Sequence, residues 1–190
     1  MAKRILLAGV LGGVALFVWG FVSHVLLGLG DAGIQPLPQA QMVQQSLSAV
    51  KEAGFYFFPS GEKPGTLRPE QEGGPYAIVI YHPNGASAAM GGHLTKEFIL
   101  DVFVALLAGC LLAYAPGLSF GGRVGMVFVA GVIAGTFNHI QSWNWYGFPE
   151  KYTIASIADN LIGFLIIGLI AAAIVKQSAT QIAAVPAKAA

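Results

Sequence analysis

Charge is what this 190-residue sequence has least of: 10% of its residues are Asp, Glu, Lys or Arg, against 55% hydrophobic. Soluble domains carry about 25% charged residues, so most of this chain cannot present a hydrated surface. Ten basic and nine acidic residues leave a net charge of +1 and no basic stripe, which removes the electrostatic footprint of nucleic-acid binding. Cysteine is nearly absent as well. Cys110 by itself can form neither an internal disulfide nor a cysteine metal cluster, and its apolar neighbours suit a buried packing residue. Also missing are a strand-to-helix phosphate loop, a Gly-x-Ser-x-Gly elbow and a His-Glu-x-x-His pair, the usual signatures of soluble enzymes.

Long apolar runs fill the space these absences leave. Residues 5–29 carry no formal charge and exceed the roughly 20 needed to cross a bilayer. They are too long for a signal-peptide core and are followed by no clean small-x-small cleavage site, so they read as an uncleaved anchor. Further spans are expected at 98–115, stopped by Pro116-Gly117, at 122–142, stopped by the aromatic stretch 143–149, and at 153–175, with Thr153 as N-cap. The fold class that follows is an all-α membrane protein: a four-transmembrane-helix bundle with a small extracytoplasmic α+β insertion between the first and second helices. Its divisions are 1–29, the first span; 30–97, the insertion; 98–176, three spans; and 177–190, a flexible tail. Lys3, Arg4, Arg123, Lys176 and Lys188 then share one side with no acidic residue, which makes that side, and both termini, cytoplasmic. Trp143, Trp145, Tyr146, Phe148 and Tyr152 form an aromatic belt at the other interface.

Within the insertion, Met42, Val43, Leu47 and Val50 recur at helical spacing and predict a helix over 39–53, ended by Gly54. Two β-rich runs, 55–58 and 76–81, flank the polar segment 59–75 and predict an antiparallel pair. One helix and two strands bury too little to stand alone. His82 and His93 fall in glycine-rich turns and read as hydrated histidines.

Each expected span carries one ionisable residue set back from its outer end: His24, Asp101, His139 and Asp159. Helical rise places all four roughly 5–9 Å inside the boundary. Residues four apart share a helix face, so His24 stacks on Gly20 and Gly28, Asp101 on Ala105 and Gly109, His139 on Gly135 and Gly131, and Asp159 on Ala155 and Gly163. Small residues mark close helix approach in membranes, which turns the ring inward. Four uses suit it. A polar latch would hold helix register, with Asn138, Gln141, Ser142 and Asn160 as further partners. Two imidazoles and two carboxylates also suit a zinc, iron or manganese ion. A proton or ion path could enter from the outer face, although nothing ionisable continues beyond the ring. Finally, His24 and His139 could be the axial ligands of a b-type haem, with Gly20 and Gly135 making room.

Three motifs, Trp19-Gly20-x-x-Ser23-His24, Gly54-x-Tyr56-x-x-Pro59 and Trp143-Asn144-Trp145-Tyr146-Gly147-Phe148-Pro149-x-x-Tyr152-Thr153 with Asp159, resemble a group of small bacterial inner-membrane proteins to which no activity is attached. The resemblance covers nearly the whole chain and implies a bacterial plasma membrane and the four-span plan. The resulting expectation is a non-enzymatic accessory or scaffold subunit with no cofactor, embedded in lipid and using its small-residue faces to dock on a larger membrane complex or on itself. The alternative is a metal- or haem-binding redox protein, or a proton or ion path, built on the ring.

Overall fold

The structure, a computed structural model, describes residues 1–60, 72–85 and 89–176. In chain order its elements are α1 (Ala2–Phe21), α2 (Ala40–Leu47), β1 (Gly54–Phe58), β2 (Ala77–Tyr81), α3 (Met90–Ala113), α4 (Phe120–Tyr146) and α5 (Glu150–Ile174). Met1–Ile34 and the chain from Met90 onward make one compact unit, and Gln35–Ala89 makes another. The expected tail, 177–190, lies outside the described residues, as do 61–71 of the polar segment and 86–88.

Three helices are long and apolar enough to cross a membrane: Ala2–Leu26, which continues α1, then α4 and α5. The fourth expected span, α3, has 24 residues but carries Lys96, Glu97 and Asp101 in its first half. It begins at Met90 rather than near residue 98, because extending a formed helix costs little even through Gly91 and Gly92. His93 therefore sits in the first turn of a helix and not in a loop, while His82 follows β2. Both are exposed.

Helix ends differ from the expected ones for local reasons. At the start of α4, Ser119 Oγ accepts from the Gly122 N–H at 3.1 Å. That helix runs through Trp143–Tyr146 instead of stopping at Ser142, since Gly147 is the first residue able to take the left-handed conformation (φ 65°) and close it, its N–H donating to the Trp143 carbonyl at 3.2 Å. α5 starts at Glu150, with Pro149 as its cap; Thr153, expected as the cap, donates its hydroxyl back to the Pro149 carbonyl at 3.1 Å. In the smaller unit α2 ends at Leu47, and Ser48 donates to the Gln45 carbonyl at 2.7 Å. Gly54, expected to end that helix, instead opens β1. The two strands pair antiparallel, with Phe55 opposite Ile80 and Phe57 opposite Ile78.

Helix packing in the larger unit is written in glycine. α1 lies against α3 on one side and α5 on the other, and α4 packs on α5. Gly9 and Gly13 of α1 meet Leu106 and Val102 of α3, and Gly109 of α3 meets Ile5. Gly131 and Gly135 of α4 meet Phe164 and Asn160, Gly168 of α5 meets Val127, and Gly163 admits Leu16 and Trp19 of α1. The Gly9/Gly13, Ala105/Gly109 and Gly131/Gly135 faces are thus in contact with the chain's own helices, whereas Gly20 meets nothing within 4 Å. Leu112, Val127, Ile167 and Val175 fill the centre, while Leu7, Val18, Ile133 and Phe137 face outward, an arrangement suited to a lipid environment. At one end the Arg4 guanidinium donates to the Lys176 carbonyl, joining the start of α1 to the end of α5.

A β-carbon at Gly13 would lie 2.6 Å from the Val102 Cα, a backbone atom that cannot step aside. Gly13→Ala is therefore expected to destabilise the bundle by about 1–3 kcal/mol. Gly125→Ala, whose added carbon meets nothing within 4 Å, should be neutral or slightly stabilising. Thermal unfolding of both variants in detergent checks the contrast; equal losses would contradict the α1–α3 seam.

Candidate functional site: a polar pocket at one end of the bundle

α1 does not close as a regular helix. From Val22 to Leu26 it widens into a π turn, the Leu27 N–H donating to the Val22 carbonyl at 2.9 Å. Such turns displace side chains from the regular helical face and are common at functional sites. Gly28, at φ 66°, then reverses the chain, and a short 3-10 turn, Leu29–Asp31, follows. Gly33 comes so near the start of α5 that a β-carbon there would lie 3.0 Å from the Tyr152 nitrogen.

The π turn carries Ser23 and His24 into place. Ser23 Oγ lies 3.2 Å from the Gly20 carbonyl, and His24 Nδ1 lies 2.9 Å from Ser23 Oγ and 3.1 Å from the same carbonyl. A carbonyl only accepts, so the Gly20 oxygen takes its proton from the Ser23 hydroxyl, from His24 Nδ1 in the tautomer that carries it, or from both, and this network holds the ring in place. Gly30 packs on the ring, where any side chain would strike it. Across from α1, Trp19 Nε1 donates to the Asp159 backbone carbonyl at 3.3 Å, which sets the height of α1 against α5.

These elements line a half-open pocket of about 250 Å³, with His24, Leu29 and Gly30, His139 from α4, and Tyr152, Ala155, Ser156, Asp159 and Asn160 from α5. Three of the four ring residues therefore meet. Asp101 does not join them: it is buried, 7% exposed, on the face of α3 that also holds Ala105, Ala108 and Gly109. Asp159 Oδ1 and Asn160 Oδ1 are buried with no hydrogen-bond partner among the described residues, Asn160 Oδ1 lying against Gly135. Among the described residues no three His, Cys, Asp or Glu side chains converge closely enough to hold a metal ion.

No family model, curated protein or solved structure matches the chain. The pocket's chemistry is carried by its own residues alone.

Sequence reasoning read Tyr152 as part of the interfacial belt and passed over Ser156. Phe148 does pack edge-on against Tyr152, ring centroids 5.5 Å apart, but the tyrosine also lines the pocket. The missed signal is a helical stripe: Tyr152, Ala155, Ser156, Asp159 and Asn160 fall at i, i+3, i+4, i+7 and i+8, one face of α5.

Because His139 and Asp159 share the pocket and Asp101 lies outside it, the double variant His139→Leu/Asp159→Asn should deviate from additivity by about 0.5–3 kcal/mol. His139→Leu/Asp101→Asn should be additive. Double-mutant cycles on stability in detergent decide, and coupling to Asp101 alone would contradict the grouping.

Proposed function

We propose that this chain is a four-span bacterial plasma-membrane protein, with α3 as the fourth span, that acts as a non-enzymatic binding subunit for a small ligand taken from the extracytoplasmic side. The observation that carries the reading is the pocket, where polar groups from α1, α4 and α5 line one space.

Orientation rests on the charges. The end that joins Arg4 to Lys176 also holds Lys3 and Arg123 and no acidic residue among those described, which suits the cytoplasm. The pocket is at the opposite end. At about 250 Å³ the pocket is below the roughly 300–1,000 Å³ of drug-sized ligand sites, so it suits an ion or small molecule better than a macrocycle.

A second reading, a transition-metal site, is favoured by one feature: His24 Nδ1 is held by Ser23 Oγ and the Gly20 carbonyl, the kind of second-shell support that metal-ligating histidines have on the nitrogen away from the metal. Stoichiometric metal in the purified protein would select it, and a Soret band would select haem held by His24 and His139.

Cysteine labelling tests side and span together. In a Cys110→Ala background, Gly92→Cys at the start of α3 and Ser156→Cys in the pocket should react with a membrane-impermeant methanethiosulfonate reagent in spheroplasts. Tyr114→Cys, just beyond the other end of α3 and 88% exposed, should react only after permeabilisation. Equal reaction at Gly92→Cys and Tyr114→Cys would leave α3 outside the bilayer; an unreactive Ser156→Cys would remove the pocket reading.

A further inference from the structure

We propose that the end of the bundle remote from the pocket binds the phosphate of an anionic phospholipid, held by Arg4, Arg123 and Lys176. The proposal rests on the membrane-spanning helices and not on the pocket, so either can fail without the other. Basic residues at one end of a membrane bundle can do no more than fix its topology, and for that they can lie anywhere around the rim. The two arginines are placed otherwise. Residues four apart share a helix face, and Arg4 and Arg123 each come one turn before a residue of the buried core, Ala8 at 1% exposure and Val127 at 0%. Lys176 directly follows Val175, also at 0%, where α5 has ended. The basic residues of α1, α4 and α5 thus stand over the end of the core. Lys3, one turn before the exposed Leu7, faces outward instead.

Helix register brings the three together. The Arg4 guanidinium donates to the Lys176 carbonyl, which joins the α1 member to the α5 member. Gly131 against Phe164, Gly135 against Asn160 and Gly168 against Val127 set the antiparallel register of α4 on α5, and that register puts Arg123 level with Ala172. Lys176 follows four residues later, about 6 Å nearer the end, a distance that a long basic side chain covers when it reaches for the headgroup layer.

Charge decides the ligand. Among the described residues of this unit the nearest acidic side chain along the bundle is Asp101, which the contact of Gly13 with Val102 puts level with Val14, about 15 Å in from Arg4. Three like charges therefore meet with no carboxylate between them. The Lys176 carbonyl occupies one guanidinium donor but carries no net charge, and Arg123 Nε has no acceptor among the described residues. A phosphodiester brings a negative charge and several acceptor oxygens at once, the combination that guanidinium groups pair with. Place selects its lipid form: the site lies at the end of membrane-spanning helices, at the level of the headgroups, and the exposed Leu7 and Phe120 of the same end offer acyl chains an apolar surface.

Native mass spectrometry of the purified full chain in detergent, titrated with dioleoyl phosphatidylglycerol, is expected to record one lipid retained per chain, with saturation. Dioleoyl phosphatidylcholine, alike in its acyl chains but without net charge, should bind at least about tenfold more weakly. Arg123→Gln should weaken phosphatidylglycerol binding at least about tenfold, and Arg123→Lys, which keeps the charge, by less. Lys3→Gln removes the same charge from the rim of the same end and should leave binding unchanged.

Equal losses in Arg123→Gln and Lys3→Gln would reduce the effect to general attraction and overturn the site. So would equal affinity for the two lipids. Glycerol 3-phosphate is the probe for a soluble source, and binding as tight as that of phosphatidylglycerol would overturn the lipid assignment. Thermal unfolding in lipid-free detergent, unchanged in Arg123→Gln, separates loss of binding from loss of fold. Lys176→Gln, which keeps the carbonyl that Arg4 uses, is the second variant: it should weaken binding as well, and full affinity in it would remove Lys176 from the site and overturn the proposal.

Discussion

Backbone-to-backbone approach through glycine is the constraint on which the rest of the bundle depends. Between helices in lipid there is no hydrophobic driving force, because the surrounding tails are as apolar as the side chains, so association rests on close van der Waals contact and on interhelical hydrogen bonds. Gly9 and Gly13 let α3 settle on α1, and Gly131 and Gly135 let α5 settle on α4. Gly163 is the member with functional weight. By admitting Leu16 and Trp19 it brings the Trp19 indole within reach of the Asp159 carbonyl, and that single bond fixes α1 against α5 at the level where His24 and Asp159 face a common space.

The pocket is then the product of three unlike local devices. A π turn re-aims His24, a left-handed Gly28 brings the chain back over the start of α5, and Pro149 opens α5 early enough to place Tyr152 in its first turn. None of the three is a packing feature of the hydrocarbon region. They lie where the bundle ends, where irregular backbone and polar side chains cost less than at the midplane because protein and interfacial water can satisfy them.

Asp101 and Asp159 make the role of surroundings plain. Both sit about two and a half to three turns into a helix and both have small residues four positions away, so their sequence contexts look alike. Yet one is buried on the face of α3 with Ala105 and Gly109, and the other opens on a cavity shared with two histidines. Which neighbour a helix face meets is a property of the assembled bundle and has no local signature.

Residue types and their periods were enough to determine a great deal by themselves. Three apolar runs of spanning length, an antiparallel pair read at 55–58 and 76–81 and found at 54–58 and 77–81, the small residues at helix contacts and polar residues near one end of the bundle follow from hydropathy, β-propensity and helical spacing, which act over a few residues at a time. The pocket-lining stripe of α5 was legible too, once Tyr152 is counted on a helix that begins at Glu150. Tertiary structure alone decided the rest: that the glycine faces are spent on the chain's own helices, that His24, His139 and Asp159 meet without Asp101, and that an Asp159 oxygen is left without a donor. The reason is physical. A helix period states which residues share a face, but which other face it meets, and at what height, is set by long-range contacts such as Gly163 on Leu16 and Trp19 on Asp159, whose members lie more than a hundred residues apart in the chain.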